Sequence, residues 1–532
     1  MYTCTSLFHF HISQSFYKQE VPEKTEITQK KNWLHQVYKS VRRELFIKEA
    51  ANFLCPAVES VNPGFKGRIT QSGLDYMRDV GLQVLKEEVQ QLKIPDITGD
   101  AHVPVVGHIT YTVSNIRITS FSIPPTLTSL TTKTGVGLTL AATGISLSAW
   151  GNWHYSNHGF IHISDSGSFD ASVSSTSLML TLRIGVDNSG RPTISMTTQD
   201  CSFNAGNVRI KLHGGASWLY NLFSKDIAGV LKSSINQQTC SMVMKEVNDD
   251  LEMQLAKIKV EAHFDKNAWV NYSLVAPPTF TGHIDTAHKG EVFPAGPGPH
   301  TEAPFTVPVI PSDPDESRHM FLWITDYMLE TAGYVYYKAG VLAYNATQDK
   351  LPPGFKYKLN TDALAVELLL PQLNEKFPNM PMQVNVKAIA PPMVRFTQPQ
   401  INASVNLQID VFVINKDKSL TFAVSLGVVV HGSASLGCVE NAAGGSSLTW
   451  TVKLRKTDVT LKRSAIGKID TDGLAIGIEF ACNAMLVPWI NEAGKKGMPL
   501  PNAGNVKLQK PVIQQGQGFV KLGTDILFIP SE

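Results

Sequence analysis

The chain has little charge and ample apolar content. Of its 532 residues, 17% are Asp, Glu, Lys or Arg, and 43% are hydrophobic. This balance excludes an intrinsically disordered chain, because enough apolar surface is present to form packed cores. The formal net charge is +2, so no strong overall field attracts nucleic acid. The length is sufficient for two or more domains.

Signatures of enzymes are missing from the sequence. There is no GxSxG, no HExxH, no Walker loop and no GxGxxG after a strand. His283 and His288 lack the carboxylate context of a zinc hydrolase. The adjacent Asp249 and Asp250 would point about 100° apart on a helix, so they do not pair as acid and base. We therefore expect no enzymatic activity, no cofactor and no metal; an enzyme acting on lipid is an alternative without a supporting motif.

Zinc-type cysteine spacing and clear targeting signals are also lacking. The six cysteines contain no CxxC and match no zinc pattern: Cys4, Cys55, Cys201, Cys240, Cys438 and Cys482. No apolar run approaches the roughly 18 residues of a membrane span, and the first residues lack a clear basic–apolar–small signal peptide. Three glycosylation sequons are nevertheless present, at Asn271, Asn345 and Asn402. They favour a secreted, extracellular glycoprotein.

The segment "GNWHYSNHGFIHISDSGSFD", residues 151–170, places three histidines four residues apart. On a helix, His154, His158 and His162 would share one face, where a metal site could begin. Three glycines interrupt the segment, however, and each costs a helix about 1 kcal/mol relative to Ala. The flanking residues alternate with period two, and "SNHG" has turn chemistry. We predict a β-hairpin with solvated histidines near its end.

The remaining pattern predicts an α+β fold. A helix is expected from Thr70 or Ser72 to Pro95, followed by about 120 residues of strands and long helices over 217–258. A Pro-rich stretch covers 294–317. The second half also mixes helices and strands. Helices are expected at 325–340, 362–376 and 471–492, and strands over 382–464. Antiparallel sheets closed by a few long helices are the expected architecture.

Nine segments in a fixed order carry a family resemblance. They are "NPGFKGRITQSGLDY" (62–76), "LKIPDITGD" (92–100), "SGRPTI" (189–194), "WLYNLF" (218–223), "YSLVAPP" (272–278), "KGEVF" (289–293), "ITDYMLETAGYVYYKAGVL" (324–342), "KFPNM" (376–380) and "GMPLP" (497–501). Together they resemble the bactericidal/permeability-increasing protein and lipopolysaccharide-binding protein family. This family is kin to the plasma cholesteryl ester and phospholipid transfer proteins. The resemblance covers about residues 61–532.

The resemblance implies a boomerang of two elongated antiparallel barrels with long helices, joined by a central sheet and the Pro-rich linker. Its domains would be an N-terminal extension of uncertain fold (1–61), an N-terminal lipid-binding barrel (62–293), the linker (294–317) and a C-terminal lipid-binding barrel (318–532). It also implies a disulfide between Cys201 and Cys240, closing a loop of about 40 residues worth about 3–4 kcal/mol. Cys438 and Cys482 would form a second bridge or stay free thiols.

Endotoxin-binding members of that family carry Lys and Arg at the tip of the first barrel, which meet lipid A phosphates. In this chain the corresponding tip is expected to comprise His102, His108, Trp150, Trp153, His154, His158 and His162. Its aromatic residues, with Tyr155 and Phe160, could insert at a lipid interface. One hypothesis is that the imidazoles gain charge near pH 6 and then bind anionic lipid. The alternative is surface histidines without a role.

Each barrel of the family has an apolar pocket for acyl chains. The residues expected to line these pockets, each of which could instead be ordinary core, are Leu74, Val84, Leu85, Leu219, Leu222, Phe223, Tyr327, Tyr334 and Val335. The implied function is non-enzymatic binding of lipopolysaccharide or related phospholipids at the bacterial outer membrane, in innate antibacterial defence. The alternative is a lipid carrier or transfer protein, acting at a lipoprotein surface without antibacterial activity. Nucleic acid is not an expected partner.

Overall fold

The structure is a computed structural model. It describes residues 62–91, 96–103, 107–157, 162–214, 219–296, 301–351, 358–440, 446–499 and 506–529. The predicted extension over 1–61, with Cys4 and Cys55, lies outside the described residues, as do His158 and Phe160. Within the described ranges, antiparallel sheets combine with a few helices. The predicted α+β class is confirmed.

Eight α-helices lie in the described part of the chain. They are α1 (Gln71–Gln91), α2 (Leu219–Lys245), α3 (Glu252–Ala256), α4 (Asp326–Lys338), α5 (Leu364–Leu369), α6 (Pro371–Lys376), α7 (Thr471–Ala481) and α8 (Val487–Lys496). One π-helical turn, Glu246–Leu251, joins α2 to α3, and another, Cys482–Leu486, joins α7 to α8. The helices expected near 70–95, 217–258, 325–340 and 471–492 are thereby confirmed.

Local sequence chemistry explains where two of these helices begin. The backbone N–H of Gly73 donates to Thr70 Oγ1 at 3.2 Å, so Thr70 caps the N-terminus of α1, as expected for a hydroxyl residue at that position. The single helix predicted over 362–376 is divided into α5 and α6. Pro371 has no N–H to continue the first helix, and it is well suited to the first turn of the next.

The strands fill most of the remaining chain. Those before the Pro-rich stretch are β1 (Phe65–Ile69), β2 (Ile97–Val103), β3 (Gly107–Ser122), β4 (Thr128–Lys133), β5 (Gly137–Asn157), β6 (Ser164–Val186), β7 (Pro192–Ser195), β8 (Cys201–Asn204), β9 (Asn207–His213), β10 (Glu261–His263), β11 (Ala268–Asn271), β12 (Thr279–Phe280), β13 (Ile284–His288) and β14 (Glu291–Pro294). Those after it are β15 (Met320–Thr325), β16 (Ala343–Ala346), β17 (Met382–Ala388), β18 (Met393–Phe396), β19 (Ile401–Ile414), β20 (Leu420–Glu440), β21 (Ser446–Ser464), β22 (Met498–Pro499), β23 (Val506–Gln515) and β24 (Phe519–Phe528).

These strands form four antiparallel sheets. The first sheet has the order β2-β3-β5-β6-β7, with β4 on β5 and with β8 and β9 on β6. The second sheet has the order β16-β17-β19-β20-β21-β22, with β18 on β19. A small sheet contains β10, β11 and β14, and the central sheet has the order β12-β13-β1-β15-β24-β23. The closure of two barrels and the boomerang outline stay predictions.

The central sheet is built from both halves of the chain, since β1 pairs with β13 on one side and with β15 on the other. Lys66, Trp323 and Lys521 stand directly opposite one another on β1, β15 and β24. The indole of Trp323 is only 1% exposed. The Nζ atoms of Lys66 and Lys521 lie 5.1 and 5.7 Å from its ring centroid, and the Arg68 guanidinium lies 5.4 Å away. Three cations therefore surround one buried aromatic ring, a favourable cation–π arrangement.

Carboxylates from distant segments neutralise these cations. Asp285 accepts two hydrogen bonds from Arg68, at 2.7 and 3.0 Å. Lys521 Nζ lies 2.7 Å from a carboxylate oxygen of Asp313 and 2.7 Å from one of Asp315. Arg68 also donates to the backbone carbonyl of Asp313 at 2.5 Å. We call Lys66, Arg68, Trp323 and Lys521, with these three carboxylates, the central clamp.

The Pro-rich stretch is held against the rest of the protein. Asp313 and Asp315 belong to this stretch, and their carboxylates bind Lys521 of β24. The side chain of Asn62 donates to the carbonyl of Val307 at 3.2 Å. The predicted linker over 294–317 thus includes residues packed along the central sheet; the predicted domain boundaries themselves stay a prediction.

The largest hydrophobic core belongs to the second sheet. Its inner face and the short helix α6 bury Leu373, Val413, Val424 and Val428. Helix α5 lies close to α7 because Gly477 has no side chain: a Cβ there would come within 1.9 Å of a Leu369 methyl group.

Among the described residues, one helical segment is long and apolar enough, by length and composition, to span a membrane. It covers Thr471–Lys496, has a mean hydropathy of 1.5 in its apolar window, and has 6% of that window buried. The expectation that no apolar stretch reaches this length was wrong, because residues 473–491 contain only one charged side chain, that of Glu479. Length and composition are the only grounds for this assignment, and helices of soluble proteins meet the same criterion.

The disulfide between Cys201 and Cys240 is present, and it joins β8 to α2 across 39 residues. Cys438 and Cys482 are free thiols, which decides between the two alternatives left open for them. Replacing Cys201 and Cys240 together by Ser should lower the free energy of unfolding by about 3–4 kcal/mol, because the unfolded chain loses a loop constraint. Urea unfolding of the oxidised proteins measures the difference.

The matched control is the double variant Cys438→Ala, Cys482→Ala, which removes two thiols that close no loop. It should lower stability by less than half as much. Equal losses in the two double variants would show that the bridge contributes no constraint of its own.

Lys521→Met tests the central clamp. It leaves two carboxylates without their cation, and should lower the free energy of unfolding by about 2–3 kcal/mol. The hydrogen bond from Lys521 lowers the pKa of Asp315 to about 2. This carboxylate therefore stabilises the wild-type fold above its ordinary pKa of about 4, and the contribution disappears as pH falls towards 2.

The stability of Lys521→Met should consequently depend less on pH than that of the wild type between about pH 4 and pH 2, since the pKa of Asp315 returns towards its ordinary value. Lys453→Met, at an exposed position of the second sheet, is the control. Parallel pH profiles for wild type and Lys521→Met would contradict the role given to this lysine.

Candidate functional site

The predicted hairpin is confirmed, and it belongs to the first sheet. Strands β5 and β6 pair from Ser156 with Ser164 back to Gly137 with Arg183. Strand β3 pairs with β5, and β9 pairs with β6, so four strands lie side by side. Because cross-strand partners share a face, the register sorts their side chains into an apolar face and a polar face.

The apolar face is packed near the end of the hairpin. Ile109, Tyr155 and Phe169 are buried there. The indole of Trp153 stacks on Tyr155, with ring centroids 5.8 Å apart and planes 7° apart. Its Nε1–H donates to the carbonyl of Ser168 at 2.9 Å. Trp153 therefore belongs to a packed cluster, and it is not presented for insertion into a lipid interface.

The polar face carries a basic cluster that the sequence analysis missed. Arg117, Trp150, Asp170 and Lys211 stand in one row across β3, β5, β6 and β9. Arg209, two residues before Lys211, lies on the same face in the next row. We call Arg117, Arg209 and Lys211 the basic cluster. All three are exposed, and none forms an ion pair with a carboxylate in the described part of the chain.

One acidic residue stands in this row. Asp170 Oδ2 lies 2.6 Å from Nε2 of His213, so the carboxylate already has a partner. The alternation "NVRIKLH" over 207–213 was the available signal, because it puts Arg209, Lys211 and His213 on one face of a strand. Arg117 could not be added from the sequence, since it is 92 residues away from Arg209 and is aligned only by strand register.

The predicted tip histidines are placed in three ways. His102 and His108 face each other at the end of β2 and β3, with ring centroids 4.9 Å apart. His154 is exposed on the polar face between Thr112 and Ser166. His162 is exposed, and His158 lies outside the described residues. Trp150 is seven residues from the end of β5, about 23 Å along the strand, so it is not at the tip.

These residues do not assemble a metal site in the described ranges. No group of three or more His, Cys, Asp or Glu side chains there converges on one point. Asp100, the acid nearest the His102 pair along β2, accepts a hydrogen bond from Thr110 at 2.7 Å. What the polar face offers is cationic donors spread along a surface, which is suited to an extended anion.

A cavity of about 820 Å³ lies beside the basic cluster. Its apolar lining consists of Ala149, Ala171, Val208, Ile210 and Ala228. The first four belong to the apolar face of the first sheet, and the last belongs to α2. Thr119, Ser148, Asp170, Ser172, Arg209 and Lys211 complete the lining. A lining that contains both apolar and charged groups can hold a molecule that has both an apolar and an anionic part.

The residues predicted to line the first pocket have different positions on their helices. Leu74 is buried in a core with Phe280 and Ile284, so it is not accessible. Val84 and Leu85, further along α1, are 41% and 42% exposed. The side chains of Leu219, Leu222 and Phe223 lie outside the described residues, although their backbone forms the start of α2.

The residues predicted for the second pocket are largely enclosed by protein. Tyr327 and Val335 on α4 are 3% and 2% exposed, and burial raises the pKa of Tyr327. Tyr334 packs edge-on against Phe305, with ring centroids 5.9 Å apart. Apolar side chains are instead exposed where α5 and α7 meet: Leu364, Leu368, Ile476 and Phe480.

Two of the three predicted glycosylation sites are open to solvent. Asn345 and Asn402 are exposed, on β16 and β19. Asn271 is half-buried, and its Oδ1 accepts the backbone N–H of Ser273 at 2.8 Å. Glycosylation of these positions stays a prediction.

Comparison with known proteins decides the family. Residues 73–253 match the N-terminal domain of the LBP / BPI / CETP family, and residues 262–528 match its C-terminal domain. The chain belongs to the LBP/BPI/CETP family. The first match includes every strand and helix described for the basic cluster and the cavity. The second match begins after the helical segment that ends at Ala256.

Individual relatives support this family membership along nearly the whole chain. The bactericidal permeability-increasing protein of Sebastes schlegelii is 31% identical over 476 residues, which cover 89% of this chain and 97% of the relative. The human lipopolysaccharide-binding protein is 29% identical over 476 residues, covering 89% and 95%. A crystal structure of lipopolysaccharide binding protein has a TM-score of 0.55 at 27% identity, and covers 88% of this chain and all of that chain.

The assignment of the two faces of the first sheet can be tested through its two tryptophans. Trp153→Phe loses the hydrogen bond to the Ser168 carbonyl, and should lower the free energy of unfolding by about 1 kcal/mol. Trp150→Phe, on the polar face, should change it by less than half as much. Urea unfolding followed by far-ultraviolet circular dichroism measures both, and a larger loss for Trp150→Phe would reverse the assignment.

Proposed function

We propose that this family member binds lipopolysaccharide or related phospholipids in antibacterial defence. The observation that carries the proposal is the cavity of about 820 Å³ whose lining combines apolar residues with Arg209 and Lys211. Two relatives along nearly the full chain are named for lipopolysaccharide binding and for bactericidal activity, which supports the same class of ligand.

Acyl chains would occupy the apolar side of the site. Val84 and Leu85 remain exposed on α1, and the cavity floor is made of alanines and β-branched residues. Exposed apolar side chains at such positions gain stability when they are covered, at about 0.8 kcal/mol per CH₂ group that leaves water. The apolar surface between α5 and α7 would give the second half a comparable contact with acyl chains.

The anionic head group would meet the basic cluster. Guanidinium and ammonium groups form charge-assisted hydrogen bonds with phosphate, and Arg can form two at once. In this proposal Arg117, Arg209 and Lys211 supply the positive charge of this face. The contact surface is the polar face of the first sheet, extending from the hairpin end towards Lys211.

The histidines would strengthen the contact in acid. His102, His108 and His154 lie on the same face as the basic cluster, and imidazoles generally gain charge below neutral pH. Asp100 on β2 and Asp170 on β6 are the carboxylates on that face. Acidification would add positive charge to a surface that already has an excess of cations.

The proposed activity is binding without chemical turnover, since the sequence has none of the hydrolase or nucleotide-binding motifs. We place the protein outside the cell. A disulfide persists in oxidising compartments, and the exposed sequon at Asn345 agrees with export. Lipid carriage without antibacterial activity is the alternative; lipid that co-purifies with the protein, identified by mass spectrometry, would reveal what is carried.

The deciding experiment compares binding of the protein to lipid A vesicles and to phosphatidylcholine vesicles. The double variant Arg209→Gln, Lys211→Gln should bind lipid A at least about tenfold more weakly than wild type, because about 1.4 kcal/mol of charge-assisted hydrogen bonding is lost. Binding to phosphatidylcholine should be unchanged. The control Lys133→Gln, Lys257→Gln removes the same charge from exposed positions elsewhere in the first half.

Equal weakening in both double variants would mean that overall charge, and not the basic cluster, attracts lipid A. Repeating the wild-type measurement at about pH 5.5 and about pH 7.4, on either side of the ordinary imidazole pKa, tests the histidines. Flat binding would remove their role. Equal binding to both lipids at both pH values would favour lipid carriage over antibacterial defence.

A further inference from the structure

A second group of cations lies on the second sheet, far in sequence from the basic cluster. A cavity of about 280 Å³ is lined there by Met393, Arg395, Asn402, Ala403, Ser404, His431, Gly432 and Arg455. These residues come from β18, β19, β20 and β21, which are neighbours in that order. Both arginines therefore reach one cavity from opposite sides, across two intervening strands.

A β-bulge places Arg455 at this cavity. His431 pairs with Lys456 and Gly432 pairs with Leu454, so Arg455 is the extra residue between two paired positions. A bulge redirects a side chain that regular alternation would send to the other face. The Nε–H of Arg455 donates to Ser433 Oγ at 3.0 Å, and one terminal nitrogen donates to Gln400 Oε1. The guanidinium is thus fixed in orientation by two neutral acceptors.

Arg455 differs from its neighbours in having no carboxylate partner among the described residues. Arg395 lies 2.5 Å from Glu330 and 3.6 Å from Asp326. His431 and Lys456 share Asp458. Arg395 is therefore ion-paired and His431 contacts a carboxylate, whereas the remaining N–H donors of Arg455 are available to a ligand.

We propose that this cavity binds the phosphate monoester of a lipid head group. A guanidinium held in place by neutral acceptors is suited to an oxoanion, because its donors match two phosphate oxygens. Ser404 adds a neutral polar side chain at the same cavity, and the backbone of Gly432 leaves room for a close approach. The volume suits a phosphate group and not a whole lipid, so acyl chains would lie elsewhere.

The inference goes beyond the proposed function, because it assigns a second anion site to the other half of the chain. Its test uses vesicles of phosphatidic acid in phosphatidylcholine, with phosphatidylcholine vesicles as reference and inorganic phosphate as a soluble competitor. Arg455→Gln should bind the phosphatidic acid vesicles about tenfold more weakly, as the loss of one charge-assisted contact implies. Arg455→Lys keeps the charge but not the planar donors, so its affinity for these vesicles should lie between those of wild type and Arg455→Gln.

The control is Lys462→Gln, which removes one exposed cation from the same strand, seven residues away. It should stay within about twofold of wild type, as expected for a single surface charge. Equal effects of Arg455→Gln and Lys462→Gln would overturn the proposal. Inorganic phosphate should weaken the binding of wild type to phosphatidic acid vesicles, and should have no such effect on Arg455→Gln. If phosphate leaves the binding of wild type unchanged, the proposed phosphate site is contradicted.

The two proposals fail separately. Arg455→Gln leaves Arg209 and Lys211 intact, and binding of lipid A through the first sheet should persist in it. The Arg209→Gln, Lys211→Gln variant should in turn keep the phosphatidic acid contact at Arg455. If either variant loses binding to both lipids, the effect comes from the net charge of the protein and not from two separate sites.

Discussion

The central clamp is the interaction on which the remaining architecture depends. The indole of Trp323 is buried among Lys66, Arg68 and Lys521, and their charges are balanced by carboxylates from β13 and from the Pro-rich stretch. Burial of Arg68 and Lys521 would be prohibitive without these partners, since an unpaired buried charge costs several kcal/mol. Each half of the chain supplies both cations and strands, so the central sheet forms only when both halves are present.

The chain also forms two larger antiparallel sheets, in which successive side chains of a strand point to opposite faces. In the first sheet the rule separates Tyr155 and Phe169 from Arg117 and Lys211, although these residues occupy neighbouring positions. One face becomes a packed apolar surface, and the other remains a solvated basic one.

Much of this fold could be predicted from the sequence, because helices and hairpins follow from local periodicity. The hairpin at 151–170 and the helix over 326–338 depend on residues close together in the chain. The positions of Trp153, Tyr327 and Val335 depended on packing partners from distant segments, so an aromatic or apolar residue could not be assigned to a pocket or a core by its type. The basic cluster depended on the register between β3, β5, β6 and β9.

The bulge at Arg455 shows why the alternation of residues in the sequence does not suffice to assign side chains to a face of the sheet; the pairing register of the strands is also needed. In "TVKLRKTDVT" the alternation is broken by the adjacent Arg455 and Lys456, which looks like an irregular charged strand. The extra residue lets both point to the polar face, where Lys456 binds Asp458 and Arg455 is held by Ser433. One inserted residue thus converts two neighbouring cations into a paired charge and an available one. The same strand without the bulge would turn Arg455 towards the apolar core, where a guanidinium without a partner would be strongly destabilising.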